Sequence, residues 1–273
     1  MSEAEAVKLS NNGPVTTKSL ISDLKQLGVK RGMVLLVHSS LSRLGWVCGG
    51  AVAVVKALEA ILDEDGTLVM PAHSGDLSEP SNWTNPPVPE SWFDPIRRTM
   101  PPFNRVETPT RGMGVIPETF RKMKGVIRSD HPQVSFVARG KRASYIVDNH
   151  ELEFGMGEGS PLARLYDLNA YILLLGVSHQ NNSSLHLAEY RADFPSRKLC
   201  KDGAPIIENG KRVWREFTDY ELETEDFETI GKAFEEAFPT TVNRGVVGYG
   251  KAVLIPQVEL VDFAVEWMTK NRK

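Results

Sequence analysis

The chain has 273 residues, 41% of them hydrophobic and 25% charged, with a formal net charge of −3. That supplies apolar material for one large domain over 1–273 and excludes the basic footprint of a nucleic-acid-binding protein. No apolar run approaches the ~20 residues of a membrane span, and Met1 to Asn12 lacks the apolar core of a secretory signal. The expectation is a cytoplasmic protein with neither nucleic acid nor membrane as partner.

Thr16 and Thr17 are helix N-cap candidates ahead of Leu20, Ile21, Leu24 and Leu27, which share one helical face that Gly28 ends. Met33 to Val37 reads as a buried strand. Gly49-Gly50 opens a helix carrying Val54, Val55, Leu58, Ile61 and Leu62, and Asp65-Gly66 turns into a second strand, Thr67 to Met70. This β-α-β unit predicts a parallel pair. Residues 74–112 hold eight prolines, yet Trp83, Trp92, Phe93 and Phe103 favour an ordered loop over a disordered linker.

Further along, Glu118 to Lys124 predicts a short helix, Val134 to Ala138 a strand and Leu162 to Tyr166 a helix started by Ser160-Pro161. Tyr171 to Val177 is the third strong strand. Asn209-Gly210 between two alternating arms, Pro205 to Phe217, is a hairpin signal. Asp226 to Phe238 is an amphipathic helix, Val253 to Ile255 a last strand, and Pro256 begins a terminal helix with Leu260, Val261, Ala264 and Met268 on one side. The predicted architecture is three-layer α/β/α with a central mixed sheet, and a hairpin and acidic insertion at about 201–228.

Two constellations carry chemistry. His38-Ser39-Ser40-Leu41-Ser42 follows the first strand, and Gly49-Gly50 opens the next helix. Ligands in α/β sheets sit beyond the carboxyl ends of strands, and free N–H groups at a helix start attract phosphate. The same residues also suit a tight turn capped by hydroxyls. The second constellation is Asn182-Ser183-Ser184-Leu185-His186-Leu187-Ala188-Glu189, after the third strand. Asn182 or Ser183 caps a helix whose first turn places His186 and Glu189 on one face. A carboxylate beside an imidazole fixes its tautomer and raises its basicity, which suits a general base for an amine. The bland alternative is an exposed His–Glu pair on a surface helix.

Several other residues are candidates. Arg128 can hold a phosphate through paired bonds, and His131 is held extended before Pro132. Thr108 to Gly114 is a hydroxyl- and glycine-rich loop. His73 and Asp76 follow the second strand at a carboxyl-end rim. Asp219, Glu221, Glu223, Glu225, Asp226 and Glu228 form either a solvated face or an acidic rim for a cationic substrate. Cys48 and Cys200 lack metal-ligand spacing and read as free thiols of a reducing compartment; no metal is expected.

Taken together, His38-Ser-Ser-Leu-Ser with Gly49-Gly50, Thr108-Pro-Thr-Arg-Gly-Met-Gly, Arg128-Ser-Asp-His-Pro, Ser135-Phe136, Glu158-Gly-Ser-Pro161, Leu174-Leu-Gly-Val177 and Asn182 to Tyr190 resemble the aminoglycoside 3-N-acetyltransferase family nearly end to end. The resemblance implies acetyl transfer from acetyl-CoA to a small-molecule amine, in a monomer or homodimer. By position it implies His186 as general base with Glu189 its partner. It implies CoA-binding walls at His38, Ser39, Ser40, Leu41, Gly49 and Gly50, at Thr108, Arg111, Gly112, Met113 and Gly114, and at Arg128, His131, Ser135 and Phe136. Substrate contacts are then expected from His73, Asp76, Asn182, Ser183 and Asp219. Ser183 stands where relatives often carry threonine, and Asn104 where they often carry an acid.

Overall fold

Short apolar runs punctuated by glycine and proline become nine strands in the computed structural model, which describes residues 2–273 and leaves Met1 outside. They are β1 (Val34–Ser39), β2 (Thr67–Pro71), β3 (Ile127–Arg128), β4 (Phe136–Gly140), β5 (Tyr171–Leu175), β6 (Leu199–Glu208), β7 (Lys211–Tyr220), β8 (Asn243–Val247) and β9 (Gly250–Pro256). Seven form one sheet in the order β3-β4-β2-β1-β5-β9-β8, and β6 and β7 form a separate hairpin. β2, β1 and β5 are parallel neighbours, with Leu35 opposite both Leu68 and Tyr171. The outer strands are antiparallel, which makes the sheet mixed, as expected.

Because side chains alternate along a strand, the central strands bury residues on both faces. Leu35, Val37, Leu68, Met70 and Leu173 pack against helices Thr17–Leu27, Gly50–Leu62 and Val115–Arg121. Leu36, Val69, Ile172, Leu174 and Ile255 pack against Pro161–Asp167, Ser184–Arg191, Phe227–Ala237 and Gln257–Asn271. The result is helices on both faces of one sheet, the three-layer α/β/α arrangement. No helix among the described residues is long and apolar enough to cross a membrane.

Local rules explain most boundaries. Thr16 accepts a bond from Ser19 N–H and starts the helix that Gly28 ends at φ 104°. Asn209 and Gly210 both take positive φ, the requirement of a two-residue hairpin turn, and Glu208 faces Lys211 across it.

Several expectations shift. β1 runs on through His38 and Ser39, because β5 alongside supplies partners for both. The helix expected over 118–124 spans Val115–Arg121, since Pro117 falls in the first turn, where its missing N–H costs nothing. The proline-rich segment is more than a loop: it holds helix Phe93–Thr99 and two 3-10 turns, Pro80–Asn82 and Glu90–Trp92. Its order comes from the hairpin. Phe103 N–H donates to Pro205 O (2.9 Å), Glu79 N–H to Asp202 (2.8 Å), and Arg212 to Met100 O (3.1 Å). A helix at Glu3–Leu9, closed by a Ser2–Glu5 capping box, had no counterpart in the sequence reading.

Candidate active site

The three parallel strands end on the same side of the sheet and deliver three histidines there. β1 ends in His38 and Ser39, β2 leads into His73, and β5 leads through Val177 to helix Ser184–Arg191, whose first turn carries His186. These residues, with Asn182, Ser183, Met113 and the ring of Phe227, line a cavity of about 220 Å³. The helix start differs in detail from expectation: Ser183 makes no side-chain cap bond, and Asn182 Oδ1 accepts Ser184 N–H instead (3.2 Å).

His186 Nδ1 lies 2.6 Å from Glu189 Oε2. An ionised carboxylate only accepts, so the ring proton sits on Nδ1 and the Nε2 lone pair is left free. Phe227 packs edge-on against the ring, centroids 4.8 Å apart, and fixes its plane. The other carboxylate oxygen, Glu189 Oε1, accepts from Arg272 Nη1 (2.7 Å) and from Glu223 N–H (2.9 Å). Arg272 also forks onto Asp226 at 2.8 and 2.7 Å. Burial would lower the Arg272 pKa, but its bonds to Asp226 and Glu189 outweigh that and raise it.

His38 and His73 stay neutral. Burial first, and then the charge of His186, pull each of them down to about 3. His38 Nε2, His73 Nε2 and Ser39 Oγ are buried without a hydrogen-bond partner among the described residues. Such orphans are costly unless something else satisfies them, so this end of the sheet is poised for a polar ligand.

Beside the cavity lies a larger cleft of about 590 Å³. Its walls are Ser39 to Ser42, Gly50 at a helix start, Gly112 to Val115, and Ser2, Glu3 and Ala6 of the first helix with Trp46. Ser39, Gly112, Met113, Val177 and Asn181 wall both spaces, so the cleft opens onto His186. Gly112 and Gly114 hold φ of 71° and 84°, a conformation that keeps side chains out of the cleft. Gly49 is the N-cap of the helix, at φ 87°, and lines neither space.

Other expected wall residues lie elsewhere. Arg128 is 4% exposed and spends its donors on the chain: Ser135 Oγ (2.9 Å), Thr108 O (2.5 Å) and Ala72 O (2.6 Å), with its plane over Phe103. It has nothing left to offer a phosphate, and burial lowers its pKa to about 10. His131 donates from Nε2 to Leu152 O and accepts at Nδ1 from Gln133 and Val134 N–H, while Phe136 is fully buried with its ring 5.3 Å from that of His73. Arg128, His131, Ser135 and Phe136 thus form a buried polar brace behind the cavity and line none of its walls. Thr108 joins that brace. Arg111 turns away to pair with Asp76, at the edge of a pocket of about 640 Å³ with Trp83.

Two acids of the acidic stretch are spent internally, while Glu221, Glu223 and Glu225 are exposed. Asp219 accepts from Tyr190 Oη and from Gly155 N–H (3.2 Å), and Asp226 is taken by Arg272. Sequence reasoning missed Arg272 and Phe227 as parts of the site. Arg272 lies 83 residues from Glu189, and no local pattern links them.

A family model described as aminoglycoside 3-N-acetyltransferase matches residues 36–269. The chain is 50% identical over 263 residues to the SPbeta prophage-derived aminoglycoside N(3')-acetyltransferase-like protein YokD of Bacillus subtilis (strain 168), covering 96% of this chain and 95% of that one. The crystal structure of that YokD protein matches with a TM-score of 0.94 at 49% identity, over 98% of each chain. Aminoglycoside N(3)-acetyltransferase VII of Streptomyces paromomycinus is 34% identical, over 99% of this chain and 97% of its own. A structure of AAC-IIIb in binary complex with CoASH matches with a TM-score of 0.84 at 29% identity, over 94% of this chain and 97% of that one. On the family match and these end-to-end likenesses, the chain belongs to the aminoglycoside 3-N-acetyltransferase family.

Proposed function

We propose that this chain, acting as one domain in the cytosol, transfers the acetyl group of acetyl-CoA to a small amine, with the 3-amino group of a 2-deoxystreptamine aminoglycoside as the acceptor. The observation that carries the reading is His186: its tautomer is set by Glu189, and it lines a cavity that shares walls with a larger cleft. The cleft, walled by glycine backbone and serine hydroxyls, suits the pantetheine arm of the donor, and the orphaned Ser39 hydroxyl is available to it. The free thiols Cys48 and Cys200 support a reducing compartment.

In this mechanism His186 Nε2 receives the proton of the attacking nitrogen as its lone pair adds to the thioester carbonyl carbon. The C–N bond forms, the C–S bond breaks, and the proton passes from His186 to the departing thiolate. Glu189 stabilises the imidazolium in between. The Ser183 hydroxyl and the backbone N–H at Ser39 are the donors for the carbonyl oxygen, the Ser40 N–H being bonded to Leu175 O (2.9 Å). The test is release of free thiol from acetyl-CoA in the presence of an amine panel, with the acetylated product weighed by mass spectrometry. Absence of acetylated product with every amine overturns the reading.

A second reading changes the acceptor. His38, His73, Asn182 and Ser183 give the cavity no carboxylate, and Asp76, on the neighbouring pocket, is neutralised by Arg111. A strongly cationic antibiotic gains little from such walls, which favours an amine metabolite of lower charge. Ranking kcat/KM across amines of increasing charge separates the two readings.

A further inference from the structure

Glu189 has two oxygens, and the fold assigns them different tasks. Oε2 accepts from His186, while Oε1 accepts from Arg272 and from Glu223 N–H. The Arg272 guanidinium, its side chain 5% exposed, is not itself a wall of the cavity; it lies 5.1 Å over the ring of Phe194 and donates also to Asp226 and to Glu223 O (2.9 Å). Three distant stretches therefore meet at one buried cation: helix Ser184–Arg191, the turn before helix Phe227–Ala237, and the residue capping helix Gln257–Asn271.

We infer that Arg272 is the positioning residue of the His186–Glu189 pair, holding Glu189 aimed at Nδ1 and offsetting the charge of Glu189 and Asp226. This rests on the reading of His186 as the base. Oε1 is held twice, by Glu223 N–H and by the charge-assisted bond from Arg272, and losing the stronger of the two loosens the carboxylate. The electrostatic part follows from the charged groups around the imidazole. Glu189 faces it from its own helix, His38 and His73 face it from the ends of β1 and β2, and the packed ring of Phe227 is uncharged. Asp226 and Arg272 lie behind Glu189. Both carboxylates favour the imidazolium, and Arg272 opposes them.

The test compares wild type, Arg272→Ala, Arg272→Lys and Glu189→Gln, each checked for folding by circular dichroism. Two readouts are taken: the pH profile of turnover, and the titration of the His186 ring followed by NMR. Arg272→Ala is expected to lower kcat about 10- to 100-fold with little change in the amine KM. It should also move the acid limb and the His186 titration up by roughly half a unit to one unit. Arg272→Lys, which keeps the charge but loses the fork, recovers the pH profile and only part of kcat. In a Glu189→Gln background, Arg272→Ala adds little, because both act on one element. If folded Arg272→Ala keeps wild-type turnover and an unmoved His186 titration, the positioning role is overturned. If Arg272→Ala does not fold, Arg272→Lys with wild-type kcat overturns it. A moved titration with unchanged turnover upholds the clamp and overturns the reading of His186 as base.

Discussion

His186 Nδ1 and Glu189 Oε2 face each other at 2.6 Å across the first turn of helix Ser184–Arg191. Three residues apart on a helix, they share one face of its first turn. The chemistry proposed here follows from that bond, and so does the first prediction. His186→Ala is expected to lower kcat by about 10²- to 10⁴-fold, the usual share of a general base. Glu189→Gln is expected to cost at least ~10²-fold, because an amide can donate to Nδ1 and reverse the tautomer. Thiol-release kinetics checks both, and a His186→Ala enzyme retaining half its turnover would sink the assignment.

The cleft walled by Ser39 to Ser42 and Gly112 to Val115 is read as the donor site. Ser42→Trp should fill it while leaving His186 untouched. The KM for acetyl-CoA is expected to rise about tenfold or more, with kcat within a few-fold of wild type, the pattern of lost uniform binding. A kcat loss at unchanged KM would place the donor elsewhere.

Arg128 gives a prediction that separates brace from binding wall. Arg128→Ala strips Thr108 O of its donor and leaves Ala72 O and Ser135 only their bond to each other (2.8 Å) in the interior. Stability is expected to fall by about 3 kcal/mol, read as a lowered Tm. The KM for acetyl-CoA of the folded fraction should not change. A raised KM at unchanged Tm would return Arg128 to the donor site.

Acid should unfold the protein early. Burial lowers His38 and His73 to about 3 and His131 to about 4, and His150 falls well below the ordinary value. The unfolded chain takes up these protons near pH 6.5, whereas the folded chain resists until far lower pH. Between those limits the unfolded state binds more protons, so stability falls as pH falls. Each histidine contributes roughly 1.4 kcal/mol per pH unit over that window. Thermal melts from pH 7 to pH 4.5 should show a steep loss of Tm, and a flat Tm over that range contradicts the neutral buried state.

Gly231 is a packing prediction. A Cβ built there overlaps the ring of His179, which pairs with Glu235 at 2.9 Å and lies 3.4 Å from Asn182 Nδ2. Gly231→Ala is expected to cost about 1–3 kcal/mol by overpacking, despite alanine's better helix propensity. Because Asn182 holds the start of the His186 helix, kcat should fall as well. A stabilised, fully active variant would show that His179 moves freely.

Local chemistry was legible in the chain itself. Thr16, Gly28 and the Asn209-Gly210 turn fix their boundaries through neighbours a few residues away, and apolar alternation marks β1, β2 and β5. The His186–Glu189 pair belongs with them, being a contact within one turn. What the fold alone decided are contacts between distant segments. Arg128 reads as a phosphate ligand in sequence because a guanidinium can hold a phosphate through paired bonds; the fold surrounds it with carbonyls and consumes its donors. The two-residue strand β3 and the edge strand β8 exist through pairing with β4 and β9, not through their own propensity. Arg272 is the extreme case. Nothing in its neighbourhood marks it, and only packing of the terminal helix against helix Ser184–Arg191 brings its charge to Glu189. His186 was found from sequence because its partner is three residues away, and Arg272 was not because its partner is 83 residues away.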